Sequence, residues 1–135
     1  MNSTRHLKIV KASAWYDLIV TWPFATPWTF AWLHAQLTRL AQAGGLPGVI
    51  HPLDASQMLF ANLLGSVVVV WSMARILQPG VRLGRLDGVA RVLFAAWQLV
   101  AVQAGVSVIV LGFTFFEILF AILQFLPVPD APVEQ

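Results

Sequence analysis

The chain of 135 residues contains no cysteine. This excludes disulfides, thiol nucleophiles, iron–sulfur clusters and Cys-ligated zinc. Histidines are few, and His6, His34 and His51 have no metal-ligand spacing. No HExxH, glycine-rich phosphate loop, GxSxG or paired-carboxylate motif occurs. No catalytic residue and no metal ligand is therefore assigned, and a non-catalytic role is favoured over an enzymatic one. Charge is the scarcest property, at 10% of residues, against roughly 25% in a soluble domain. A small globule exposes much of its surface, and this chain lacks the polar groups to cover it. A soluble enzyme and a disordered chain are both disfavoured.

What is present is apolar: 59% hydrophobic residues and a mean hydropathy of +0.77. The formal net charge is +2, from eight Lys and Arg against six Asp and Glu. The basic residues sit at the ends of apolar runs and form no patch interleaved with aromatics, so nucleic acid is not the expected partner. The lipid bilayer is.

A bilayer core about 30 Å thick takes about 20 helical residues to cross. Met58–Met73 with its flanks predicts a span over about 56–75. Gly88 to Leu126 covers 39 residues, enough for two. A break at Gln103-Ala104-Gly105 divides it into spans of about 88–103 and 107–126. Pro127 and Pro129 stop the last helix, leaving a short mobile tail, 129–135. The first region, about 12–33, is interrupted by Pro23 and Pro27. Interior proline costs about 3 kcal/mol, and Thr26-Pro27 reads as an N-cap followed by an N1 proline. Either one kinked crossing runs to Leu33, or a shorter one ends near Trp22 and a second helix covers Pro27–Ala43; a break at Trp22–Thr26 is preferred. A cleaved signal peptide fits poorly, because Asp17, Pro23 and Pro27 interrupt the apolar stretch. The expected fold is all-α: one integral membrane domain of four transmembrane helices, its first region kinked or broken at Pro23/Pro27.

Positive residues favour the cytoplasmic side. Arg5, Lys8, Lys11, Arg75, Arg82, Arg85 and Arg91 fall on or adjoin one side, and only Arg39 the other. Both termini are expected in the cytoplasm. Gly44–Pro52 then forms an outer loop, and Gln78–Arg85 the connection on the cytoplasmic side.

Ionisable groups inside a bilayer need a partner or a cavity. Asp17 and Arg91 enter their spans from the same side, about 9 Å and about 6 Å deep at 1.5 Å per residue, which suggests an Asp17–Arg91 pair. Asp87, four residues before Arg91, competes for it as a surface helix pair. The alternative leaves Arg91 snorkelling to lipid phosphates and Asp17 facing water. Glu117 falls mid-span with no obvious basic partner. Thr114, Glu117, Ala121 and Gln124 share one helix face. Asn62, Gly65, Ser66 and Val69 form a narrow stripe on the second span, and Arg91, Gln98 and Val102 align on the third. For Thr114, Asn62, Ser66 and Gln98 bundle packing is favoured over a ligand role. Glu117 has a stronger claim to function: a carboxyl group there can donate a hydrogen bond or exchange a proton with bound cargo. Trp15, Trp71, Trp28 and Trp32 are expected at the interfaces. Trp22 and Trp97 lie deeper, where packing or a pocket wall would use them. The ligand or proton-linked candidates are therefore Glu117, Asp17, Arg91, Asn62, Gln98, Thr114, Trp97 and Trp22.

The second span, LFANLLGSVVVVW with Gly65, and the acidic last span, FEILFAIL with Glu117, resemble the DoxX-like small bacterial membrane proteins over the last three spans. The resemblance implies a four-helix bundle in a bacterial inner membrane and, for some members, quinone-linked redox chemistry. It carries over no functional residue.

Three functions remain in view. The first is an accessory or interaction subunit, or a binder of a lipid or other apolar ligand. The second is a small oligomeric transporter with Asp17, Arg91 and Glu117 lining a polar path. The third is a quinone-linked redox subunit. No cofactor is assigned beyond a quinone or lipid as ligand, and a homo-oligomer or a partner membrane subunit fits the last two.

Overall fold

In a computed structural model that describes residues 1–129, the chain folds into five α-helices: α1 Ser3–Thr21, α2 Pro27–Ala43, α3 Ala55–Leu77, α4 Val81–Gln103 and α5 Leu111–Phe125. Short 3-10 turns at Trp22–Ala25 and Val108–Val110 precede α2 and α5. No strand occurs among the described residues. Residues 130–135 of the expected mobile tail lie outside them.

The local sequence explains the boundaries. Asn2 caps α1, its side chain accepting the Arg5 N–H at 2.9 Å. The expected break falls at Trp22–Thr26. Thr26 caps α2 through the Thr29 N–H, and Pro27 opens the helix, where its missing N–H costs nothing. Asp54 and Gln57 close a reciprocal capping box on α3. The turn after Gln103 also falls where expected, with Gly105 at φ +105°, a conformation that glycine adopts without strain.

α1 packs along α3 and against α4 and α5, while α4 and α5 form the most extensive pair. His6 beside Gln124 and Gly84 marks one end of the bundle. At the other, Phe24 and Ala25 lie on Gly65 of α3, where any Cβ would collide with the turn's backbone. α2 then runs over this end. Its loop is pinned to the α4–α5 connection by Val49 N–H to Gly105 O at 2.9 Å and Ser107 N–H to Val49 O at 3.1 Å. Gly48, at φ +90°, leaves no room for a side chain there; a Cβ would come within 2.6 Å of Ser107.

Three segments, Ala55–Leu77, Val81–Gln103 and Val108–Phe125, are long and apolar enough to cross a membrane. α1 is not among them. Burial is distributed as hydrocarbon solvation requires. Buried positions include Ser13, Ser72, Arg75, Asp87, Arg91 and Gln124, whereas Phe60, Val67, Val70, Trp97 and Phe115 are exposed. In water this arrangement would invert the hydrophobic effect.

Four expectations change. The 78–85 connection shortens to Gln78–Gly80, because α4 begins at Val81. Pro79, Gly80 and Gly84 had read as turn residues of one connection. Arg91 therefore lies ten residues into its helix, or about 15 Å. Gly84 is a helix-packing position, with Val10 and His6 against it. On α3 the inward stripe is Gly65, Val68, Ser72 and Arg75; Ser66 is exposed and bonds the Asn62 carbonyl of its own helix. α5 buries the expected face of Thr114, Glu117, Ala121 and Gln124.

Candidate functional site

The polar residues of four helix faces converge between the helices. α1 contributes Ser13 and Asp17, α3 Ser72 and Arg75, α4 Asp87 and Arg91, and α5 Glu117 and Gln124. The spacings do this locally: Ser13 and Asp17, and likewise Asp87 and Arg91, are four apart, and Ser72 and Arg75 three apart, so each pair shares a face.

Arg91 is the hub. Its guanidinium reaches Asp17 Oδ2 at 2.8 Å, Asp87 Oδ2 at 2.8 Å and Glu117 Oε2 at 2.9 Å. Arg75 reaches the same Asp17 and Asp87 oxygens, the latter at 2.9 Å, and donates to Ser13 Oγ at 3.0 Å. Trp71 Nε1 donates to Asp87 Oδ1 at 2.8 Å, and Gln124 Nε2 to Asp87 Oδ2 at 2.8 Å. Arg91 also lies 5.0 Å from the Phe120 ring centroid, and Arg75 5.6 Å from that of Trp71, within cation–π range. Charges this deep persist only when paired and hydrogen-bonded.

The Asp17–Arg91 pair thus forms between α1 and α4. The snorkelling arginine and water-facing aspartate do not occur: Arg91 is 1% exposed. Asp87, expected in a surface pair, is 2% exposed and carries four donors. Glu117, expected to lack a basic partner, has Arg91. Arg75, counted as a membrane-flanking charge, is fully buried in the network. Sequence reasoning missed it, although its i+3 spacing from Ser72 on the Gly65 face was a readable signal. With Arg75 and Arg91 removed from the flanking charges, five basic residues remain on the α1 N-terminal side against Arg39.

Directly above the network lies a cavity of about 440 Å³. Asp17 and Glu117 form one end of it, with Gln98 beside them. Tyr16, Phe24, Phe30, Phe94, Trp97 and Phe113 supply aromatic walls, and His34 and Leu37 of α2 with Ile50 cover the far end. His34 is fixed by a 2.8 Å bond from its Nε2 to the His51 carbonyl. Thr114 donates to Gln98 Oε1 at 2.7 Å. Among the other candidates, Trp97 lines the cavity, Trp22 does not, and Asn62 ties α3 to the Phe24 carbonyl at 2.8 Å. Arg91 touches a separate shallow groove between α4 and α5. Among the described residues no group of His, Asp and Glu could hold a metal ion.

The carboxylates are used unevenly. Every hydrogen bond and ion pair to Asp17 and Glu117 falls on Oδ2 and Oε2. Their side chains remain 13% and 11% exposed, whereas that of Asp87 is 3% exposed. Among the described residues, nothing donates to Asp17 Oδ1 or Glu117 Oε1.

The chain matches no family model, no curated protein and no solved structure.

Proposed function

We propose that this protein is a small integral membrane protein that binds an apolar ligand between its helices. The cavity carries this reading: a space of about 440 Å³, walled by aromatics and open to a few polar groups at one end, has the composition of a ligand site. α1 completes a four-span bundle in this reading. Its Asp17 is offset by Arg75 and Arg91, so its modest hydropathy does not prevent crossing beside α3, α4 and α5. Both termini lie in the cytoplasm, with Arg5, Lys8, Lys11, Arg82 and Arg85 at that face. α2 lies at the outer face as the roof of the cavity, its exposed Trp28 and Trp32 in the interfacial layer. The likeness to DoxX-like proteins supports a bacterial inner membrane, and a quinone or a lipid is of the right chemical type.

Transport takes second place. The charges of Asp17, Arg91 and Glu117 are engaged with one another, and Arg91 does not line the cavity.

The test uses a fluorescent neutral probe, N-phenylnaphthylamine, with protein in lipid nanodiscs. Ala101 lines the cavity, so Ala101→Trp fills it. The expected result is saturable probe fluorescence in the native protein that is lost in the filled variant, with empty nanodiscs as background. Equal signals in the two proteins would refute ligand binding at this site.

A further inference from the structure

The ligand class can be narrowed from the charges beside the cavity, given that the cavity binds a ligand at all. Three carboxylates, Asp17, Asp87 and Glu117, meet two guanidiniums, Arg75 and Arg91. With all five ionised, the cluster carries one uncompensated negative charge. Water would screen such a charge, but here most of the surroundings are protein and acyl chain, where an unpaired charge is costly. Asp87 is not where it emerges, since both its oxygens are occupied. The free acceptors are Asp17 Oδ1 and Glu117 Oε1, on the two carboxylates that line the cavity.

The arginines cannot serve a ligand. Both are buried, and their forks are turned onto carboxylates and Ser13. An anionic head group would therefore meet carboxylate oxygens with no accessible cation behind them. Beyond the carboxylates the walls are aromatic, and ring faces attract cations. Gln98 adds a side-chain amide whose oxygen is taken by Thr114, so it offers a donor to an acceptor elsewhere on the ligand.

We propose that the cavity between α1, α3, α4 and α5 is a site for a monovalent organic cation, an ammonium with an apolar or aromatic body. The ammonium N–H groups donate to Asp17 Oδ1 and Glu117 Oε1, and the body lies among Tyr16, Phe94, Trp97 and Phe113. The ligand completes the charge balance of the cluster as well as filling the space.

Three compounds with one body and different heads test this: phenylbutylamine, phenylbutanol and phenylbutyrate. Each is titrated into nanodisc-embedded protein carrying N-phenylnaphthylamine, and displacement is read as loss of fluorescence. The expected order is amine first, displacing the probe about tenfold more tightly than the alcohol, as one added charge-assisted hydrogen bond implies, with the carboxylate weakest. In Glu117→Gln the cluster is neutral, and the amine and alcohol should become equal while the probe still binds. Equal displacement by amine and alcohol in the native protein would overturn the proposal and place the compensating charge on a proton, leaving the apolar site intact. Preference for the carboxylate would also overturn it. Failure of the probe itself to bind would overturn both this inference and the reading on which it rests.

Discussion

Replacing Arg91 by leucine gives the most demanding test of the buried network. Arg91 serves three carboxylates, but they depend on it unequally. Asp87 would keep Arg75, Trp71 and Gln124, and Asp17 would keep Arg75. Glu117 would lose Arg91, its one ion-pair partner among the described residues. Stripping a partner from a buried charge costs about 3–5 kcal/mol, a large share of the 5–15 kcal/mol that holds a typical domain together. The lost contact with Phe120 adds to the deficit. Arg91→Leu is therefore expected to lose about 3–5 kcal/mol, read by denaturant titration in mixed micelles with far-UV circular dichroism. Adding Glu117→Leu removes the stranded carboxylate. The double variant is expected to recover about 1–3 kcal/mol, the cost of an unsatisfied buried group, a coupling that a double-mutant cycle isolates. A loss near 0.6 kcal/mol for Arg91→Leu, the mean for an ordinary hydrogen bond between membrane helices, would show that the network adds little. No recovery on removing Glu117 would show that the charges are not coupled as described.

Three other outcomes follow from the geometry. Gly65→Val places a branched side chain in the backbone of Phe24 and Ala25, which cannot yield as a flexible side chain would; it should cost at least about 1–3 kcal/mol as overpacking does, read as a lower melting temperature in detergent. Thr114→Val removes the 2.7 Å bond to Gln98 and should cost only about 0.6 kcal/mol by the same denaturant titration; a loss several times larger would mean that Gln98 is held by Thr114 alone. Reporter fusions at the N-terminus and within Gln78–Gly80 should report the same face of the membrane, and one at Gly44-Gly45 the opposite face. Any other pattern contradicts the four-span arrangement.

Much of the helix layout was legible because it is written in local chemistry. Thr26-Pro27 marks a helix start, Gly105 a helix end, and the Thr114–Gln124 stripe one packed face, each decided by a few adjacent residues. The start of α4 was obscured, since Pro79, Gly80 and Gly84 read as turn residues, and Arg85 looks solvated until its bonds to the Gln124 and Leu126 carbonyls are known. The same limit hid the network. Nothing near Glu117 in the chain is basic, and its partner Arg91 is 26 residues earlier, brought close by the α4–α5 turn. Arg75 read as a flank because it stands two residues from the end of α3; its partners Ser13 and Asp17 on α1 and Asp87 on α4 are distant in the chain. The cavity could not be read from sequence. Trp97 and Trp22 look alike in an apolar helix and both are largely exposed; only the packing of the helices puts Trp97, and not Trp22, along the cavity.

The arrangement of opposite charges on separate helices also constrains how the chain is made. α1 leaves the ribosome carrying Asp17 well before Arg75 or Arg91 has been synthesised, and a lone acidic group entering a bilayer is penalised by about 2.5–3.5 kcal/mol. If α1 crosses the membrane as proposed, it must then wait at the insertion machinery or the headgroup layer until α3 arrives. On that four-span proposal, assembly of the bundle is a cooperative late event, and a nascent chain truncated before α3 should fail to hold its first helix across the membrane.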